Sequence, residues 1–112
     1  MTQILPVEKE IELDGVTRVL LPTPNAALRI SRHFGGFKAA RDRLLAEDLD
    51  AYVAVIRYGC GIKEAEAKGL EEKVFAAGLT NLFVPLLEYI GVLISGGKLP
   101  AEEDKEPKKA EL

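Results

Sequence analysis

The feature that most constrains the fold is the run of residues 20–37, which combines a strand exit, a helix start and a glycine stop. Thr23 is a residue type that caps helices well, and Pro24 follows at the first helical position, where the missing N–H of proline costs little. A pair of glycines after Phe34 ends such a helix, because glycine readily adopts the left-handed conformation of a helix terminus. The run therefore predicts an amphipathic helix over Pro24–Phe34, with a structural and not a catalytic role.

An N-terminal β-hairpin is predicted before this helix. Residues 10–13 alternate charged and apolar side chains, and residues 16–21 are rich in β-branched types. Between them lies Asp14-Gly15, a dipeptide typical of two-residue hairpin turns, because both residues tolerate positive φ. An isolated hairpin is marginal in water, so we expect it to pack on helices. The residues expected to face the helices are Ile11, Leu13, Val16 and part of Val19–Leu21.

Further helices are predicted from apolar periodicity and from glycine and proline punctuation. Asp48 is expected to cap one of them, and the last one is expected to start at Thr80 or at Val84. The fold class is therefore α+β: an N-terminal β-hairpin packed on a bundle of four to five short helices. The predicted segments are Phe37–Ala46, Leu49–Tyr58, Gly69–Ala77 and a last helix that ends near Ser95. The residues of Gly69–Ala77 expected to face inward are Leu70, Val74 and Phe75.

Length and charge limit the domain organisation and the partners. A chain of 112 residues can form one domain with one core. We place this single domain at residues 1–96 and predict a charged, disordered tail at residues 97–112, which have few apolar side chains to bury. The net charge of -3 argues against general nucleic-acid binding, which needs a basic field.

Cysteine content and hydropathy predict a cytoplasmic protein with no membrane association. The most apolar segment, Leu82–Ile94, contains Glu88 and is shorter than the roughly twenty residues that a bilayer span needs. We interpret it as a buried core helix. The single cysteine, Cys60, allows no internal disulfide, and the N-terminal sequence lacks the pattern of a signal peptide.

No residue pattern predicts catalysis or metal binding. His33 has no carboxylate one helical turn away, and Cys60 has no second cysteine with which to form a redox pair or a zinc site. The glycines that flank Cys60 and those that follow Phe34 match neither a dinucleotide fingerprint nor a phosphate loop. They are expected to end helices. We therefore expect no enzyme activity, no cofactor and no metal.

Two groups of residues are candidates for protein binding. Arg29 and Arg32 belong to a basic cluster that also includes Lys38, Arg41 and Arg43. On a helical hairpin these side chains would make one positive surface, either a solvated face or a docking surface for an acidic partner. The last helix is apolar on most sides, so it is either central to the core or covered by another subunit. Its candidate binding residues are Leu86, Tyr89, Ile90 and Leu93. We expect the chain to form homo-oligomers.

Four parts of the sequence form a pattern: the run 21–32 (Leu-Pro-Thr-Pro-Asn-Ala-Ala-Leu-Arg-Ile-Ser-Arg), the Phe-Gly-Gly-Phe break at 34–37, the segment 50–56 (Asp-Ala-Tyr-Val-Ala-Val-Ile) and a glycine at position 59. Together they resemble the small tail assembly chaperones of long-tailed phages and of gene transfer agents. The resemblance covers roughly residues 15–96 and consists of apolar and glycine positions, not of a catalytic signature. One departure is Arg32-His33, where many relatives have an acidic residue.

The resemblance implies a protein that binds the tape measure protein during phage-like tail morphogenesis and helps recruit tail tube subunits. Tape measure proteins are long, helical and prone to aggregate alone, so the chaperone coats its partner and then departs. It also implies a non-enzymatic protein without cofactors in the cytoplasm of the bacterial host cell. Two alternatives are a structural tail tube or minor tail component that stays in the particle, and a small protein-binding adaptor or antitoxin-like regulator.

Overall fold

The structure, a computed structural model, describes residues 8–98. It consists of a two-stranded antiparallel hairpin packed on five helices, so the predicted α+β class is confirmed. A short 3-10 turn lies between the third and fourth helices. The tail predicted at residues 97–112 lies outside the described residues, except for its first two positions. The elements are β1 (Lys9–Leu13), β2 (Val16–Leu20), α1 (Pro24–Phe34), α2 (Phe37–Leu45), α3 (Leu49–Cys60), α4 (Leu70–Ala77) and α5 (Leu79–Ile94).

The hairpin forms at the predicted dipeptide. Asp14 and Gly15 have φ values of 54° and 77°, and the flanking residues Leu13 and Val16 pair across the turn. The alternation of side chains in β1 buries Ile11 and Leu13 and leaves Glu10 and Glu12 in solvent. The sequence pattern thus sets both the turn and the face of the hairpin that packs on the helices.

Val16 departs from the predicted pattern. It was expected to pack on the helices, but 53% of it is exposed. β1 packs on α4 and α5, whereas β2 packs on α3 near the end that carries the buried Leu20. The tip of β2, where Val16 lies, therefore stays open to solvent.

Helix α1 has the predicted bounds because both of its termini are set by local hydrogen bonds. Thr23 Oγ1 accepts a hydrogen bond from the backbone N–H of Ala26 at 3.1 Å. At the other end Gly35 adopts a φ of 81°, and its N–H donates to the carbonyl of Ser31. These interactions satisfy backbone groups that a helix end leaves unpaired.

Helix α3 is the centre of the fold. The predicted N-cap, Asp48, accepts a hydrogen bond from the N–H of Asp50 at 3.1 Å. The helix continues past the predicted end at Tyr58 to Cys60, and only Gly61, with a φ of 69°, ends it. The expectation that Gly59 ends the helix is therefore wrong. Its buried residues are Ala51, Tyr52, Ala54, Val55, Ile56 and Gly59.

The last two helices differ from prediction in two details. Helix α4 buries Leu70 and Val74, one helical turn apart, but Phe75 lies a further 100° around the helix and is 72% exposed. Helix α5 starts at Leu79, directly after Gly78, which has a φ of 90° and provides no side-chain cap, so neither of the two predicted starts is correct. Burial of apolar residues on successive turns of α5 outweighs the penalty of Pro85 inside the helix, about 3 kcal/mol.

Within residues 8–98, no single helix is both long and apolar enough to cross a membrane. Helices α4 and α5 would meet the length and composition of a span only when taken together, and they are bent by 104° at the break between them. In this fold both helices contribute to the hydrophobic core.

Candidate binding surfaces

The α5 residues that were candidates for protein binding lie in the core. Leu86, Tyr89 and Ile90 are 0% exposed and Leu93 is 7% exposed. The hairpin and the helices α2, α3 and α4 pack around α5 within the same chain, so a partner cannot reach these side chains in the folded domain. The interpretation of α5 as a core helix is confirmed, and its assignment as a binding surface is wrong.

Tyr89 holds the end of the hairpin against the helices. Its hydroxyl donates a hydrogen bond to the carbonyl of Leu21 at 2.7 Å, while the N–H of Leu21 donates to the carbonyl of Gly59 at 2.9 Å. Burial raises the pKa of the Tyr89 hydroxyl, and the nearby thiol of Cys60 adds to the shift. The backbone of Leu21, directly after β2, is thus hydrogen-bonded to both α3 and α5.

Gly59 is required at this point by close packing. A Cβ atom at position 59 would lie 2.7 Å from Leu20 Cδ2 and 2.9 Å from Tyr89 Cε2. Both distances are shorter than normal contacts, so only glycine lets the strand and α5 approach α3 this closely. The glycine that the sequence indicates as a helix stop is in fact a packing position.

The basic cluster predicted on α1 and α2 is divided by ion pairing. Lys38 Nζ lies 3.0 Å from Asp42 Oδ2, and Arg43 Nε lies 2.6 Å from Asp48 Oδ2. The hydrogen bond from Arg43 is the main reason that the pKa of Asp48 lies below its usual value. These pairs neutralise two of the five basic residues, so the cluster does not form one continuous positive surface.

Arg29 and Arg32 instead join basic residues from another helix. Arg29 lines a groove of about 350 Å³ whose other charged residues are Arg57, Lys63 and Glu64. A shallower depression of about 280 Å³ continues from it. We call the combined surface the basic groove. Its defining residues are Arg29, Arg32, His33, Arg57, Tyr58 and Lys63.

Two members of the basic groove, Arg57 and Lys63, are not identified by sequence reasoning. They come into place because α1 packs on α3 and because Gly61 turns the chain so that Ile62 is buried and Lys63 lies at the surface. The sequence signal is weak, since a basic residue in the last turn of a helix is commonly explained by the helix dipole. Their position beside Arg29 depends on tertiary packing.

A second groove has a different character. It has a volume of about 400 Å³ and runs between β1 and the adjoining ends of α4 and α5. Three consecutive residues of β1 line it, although successive side chains point to opposite faces, so the groove follows the free edge of the strand. We call it the edge groove. Its lining residues are Glu10, Ile11, Glu12, Asp14, Gly15, Ala77, Asn81, Leu82 and Pro85.

Cys60 and His33 are the two side chains that could carry reactive chemistry, and the first is half-buried while the second is exposed. Burial raises the pKa of Cys60 to about 11, against a smaller lowering by Arg18, so the thiolate is disfavoured at neutral pH. The ring of His33 packs edge-on against Phe34 and Tyr58, with centroid distances of 4.7 and 5.6 Å. Among residues 8–98, no group of three or more His, Cys, Asp or Glu side chains is placed to hold a metal ion.

Comparison with known proteins does not identify a family for the chain. No protein-family model, no curated protein and no solved structure matches the chain. The resemblance to tail assembly chaperones therefore stays a prediction from the sequence, and the two grooves are the surfaces on which a functional proposal can be built.

Proposed function

We propose that this chain is a tail assembly chaperone that binds the tape measure protein and helps recruit tail tube subunits. Its partner-binding site is the edge groove, which combines an apolar floor with a strand edge that no other strand of residues 8–98 pairs with. This combination is the observation that carries the proposal, because it suits a segment of a partner that has not yet packed.

The floor of the edge groove supports binding of apolar side chains. Ile11 of β1 and two residues of α5, Leu82 and Pro85, line it, and its volume of about 400 Å³ has room for several side chains of a partner. An aggregation-prone partner exposes apolar segments before assembly, and covering them removes their surface from water. A chaperone for such a partner needs a site of this kind.

The strand edge supports binding through the backbone. Within the described chain β1 pairs only with β2, so the N–H and C=O groups on its other edge are available to an added strand. Backbone hydrogen bonds of this type depend little on the partner's sequence. They suit a protein that must coat a long partner at many places.

The acidic rim supports selection of the partner. Glu10, Glu12 and Asp14 line the edge groove, and its lining contains no basic residue to offset them. Their charge favours partner segments in which lysine or arginine flanks the apolar residues. The same charge disfavours edge-to-edge pairing of two copies of this chain, because like charges would face each other.

Co-expression with the tape measure protein of the same phage or gene transfer agent tests the proposal. The wild-type chain is expected to keep that protein soluble and to co-purify with it. Glu12→Lys should lower the soluble yield several-fold, because it reverses a charge on the rim of the edge groove. Glu66→Lys makes the same charge change on the exposed 3-10 turn and should leave the yield unchanged.

Three outcomes would contradict parts of the proposal. An insoluble tape measure protein in the presence of the wild-type chain would contradict the chaperone function. Equal yields with Glu12→Lys and Glu66→Lys would contradict the edge groove as the site. Abundant chain in purified finished particles would favour the structural tail component instead.

A further inference from the structure

The basic groove concentrates positive charge that the described residues do not neutralise. The three ion pairs formed within residues 8–98 involve neither Arg29 nor Arg57 nor Lys63. Glu64 is the one acidic residue that lines the groove. The groove therefore presents a positive surface that fits carboxylates, although the net charge of the chain is -3.

The densest acidic run of the sequence lies outside the described residues. Residues 102–106 read Glu-Glu-Asp-Lys-Glu, with four acidic side chains and one basic one. The charge of this run is therefore opposite to that of the basic groove. Arginine binds carboxylates through paired N–H donors, so the two surfaces are chemically complementary.

The last described residues place this run within reach of the groove. The N–H of Gly97 donates to the carbonyl of Val92 at 2.8 Å, and a Cβ atom on Gly97 would lie 3.6 Å from the carbonyl oxygen of Pro22. The chain therefore leaves the domain beside the start of α1. Asn25, in the first turn of α1, already lines the basic groove.

The distances are compatible with binding inside one molecule. Arg29 follows Pro22 by seven residues, which at the rise of an α-helix is on the order of 10 Å. Glu102 follows Lys98 by four residue positions, which in an extended chain reach about 13 Å. The acidic run can thus extend along α1 into the groove without unwinding any described element.

We propose that residues 102–106 of the chain itself bind in the basic groove, with their carboxylates paired to Arg29, Arg57 and Lys63. Tethering makes the local concentration of the acidic run high, on the order of millimolar, so modest contacts suffice to fill the groove. This inference concerns the chain alone and does not depend on binding to a tape measure protein.

Two-dimensional ¹H–¹⁵N NMR of the full chain tests the inference. One variant removes the acidic charges of the run by Glu102→Gln, Glu103→Gln, Asp104→Asn and Glu106→Gln. We expect the amide signals of Arg29, Arg57, Gly61 and Lys63 to move, while those of the edge groove stay in place. The wild-type signals should move in the same direction when ionic strength rises from about 0.01 M to about 1 M, because the screening length falls from about 30 Å to about 3 Å.

A matched variant changes the lysines of the same tail by Lys105→Gln, Lys108→Gln and Lys109→Gln. It keeps the carboxylates, so its groove signals should remain at the wild-type positions. In the reverse direction, the double change Arg29→Gln and Arg57→Gln should move the amide signals of residues 102–106. Arg41→Gln, which removes an exposed cation outside the groove, should not.

Two results would overturn the inference. Groove signals that are identical in the wild-type and acid-neutralised chains would mean that the run does not bind there. Groove signals that shift on dilution of the wild-type chain would mean that the acidic run of one copy binds the groove of another, so the contact is not made within one molecule.

Discussion

Helices α1 and α5 carry the two groups of residues predicted to bind proteins, and the fold places them in opposite environments. Arg29 and Arg32 of α1 lie on the surface, where a groove joins the first of them to Arg57 of α3. The four apolar candidates of α5 lie in the core. Apolar character alone does not distinguish a core helix from an interface helix, because both bury apolar surface.

Of the two helices, α1 is the better candidate for contact with a partner. The four candidate residues of α5 are explained by packing within the chain, including the hydrogen bond of Tyr89 to Leu21. Arg29 and Arg32 make no ion pair within residues 8–98 and contribute nothing to the core. Charges that the fold does not use are available for a partner.

The strongest test of the comparison is Leu86→Asp, which we expect to unfold the domain. A carboxylate at a site with 0% exposure loses its hydration without gaining a partner, a penalty of several kcal/mol against a total stability of about 5–15 kcal/mol. Circular dichroism and urea unfolding measure the loss. Val84→Asp places the same charge on the exposed side of α5, where 57% of the residue is accessible, and should leave the domain folded. A folded Leu86→Asp variant with altered self-association would identify α5 as an interface after all.

Gly59→Ala tests the close approach of α5 and β2 to α3. Helix propensity alone predicts that alanine stabilises this position by about 1 kcal/mol. The contacts with Leu20 and Tyr89 predict the opposite sign, a net destabilisation of about 1–3 kcal/mol, because the new methyl group overlaps both side chains. Urea denaturation decides between them, and a variant as stable as the wild type would contradict the packing described at Gly59.

Tyr89→Phe tests the attachment of the hairpin and should destabilise the domain by about 1 kcal/mol at neutral pH, because the carbonyl of Leu21 loses its donor.

The raised pKa of Tyr89 adds a pH dependence to the stability of the domain. The folded state favours the neutral hydroxyl, so the stabilisation is complete below the ordinary tyrosine pKa of about 10 and declines as pH rises above it. Tyr52, whose pKa burial also raises, contributes in the same direction. The free energy of unfolding, measured from pH 7 into the alkaline range, should therefore fall less steeply with pH for Tyr89→Phe than for the wild type. An equal pH dependence of the two proteins would contradict the role of the buried Tyr89 hydroxyl.

The smallest effect on stability is expected for changes in the surface helix α1. Changing both Arg29 and Arg32 to Gln should alter the free energy of unfolding by less than about 0.5 kcal/mol, because neither side chain takes part in the core or in an ion pair of the described chain. Thermal unfolding measures it. A loss of more than about 1 kcal/mol would show that these arginines stabilise the fold and would weaken their interpretation as binding residues.

The elements that sequence reasoning predicted correctly are those fixed by local interactions. The bounds of α1 follow from the hydroxyl of Thr23 and the left-handed Gly35, and the hairpin follows from Asp14-Gly15. The cap of α3 at Asp48 is of the same kind. In each case the partner atoms lie within four residues of one another, so the sequence contains the whole interaction.

The errors arise where distant parts of the chain meet. Gly59 looks like a helix stop from its neighbours, yet its role is set by Leu20 and Tyr89. The start of α5 ahead of Pro85 and the exposure of Phe75 depend on which turns the other elements cover. Propensity signals at these positions are weaker than the free energy of burying several apolar side chains, so packing prevails.

By itself, the sequence determined the α+β class, the hairpin turn, the helix capped by Thr23, and the apolar character of the last helix. Those properties depend on local hydrogen bonds and on the periodicity of apolar residues. Only the tertiary structure decided which charged side chains share a groove, because Arg29 and Arg57 are brought together by the packing of α1 on α3. The edge groove likewise exists only because β1 packs beside α4 and α5 and, among residues 8–98, pairs with β2 on one edge alone.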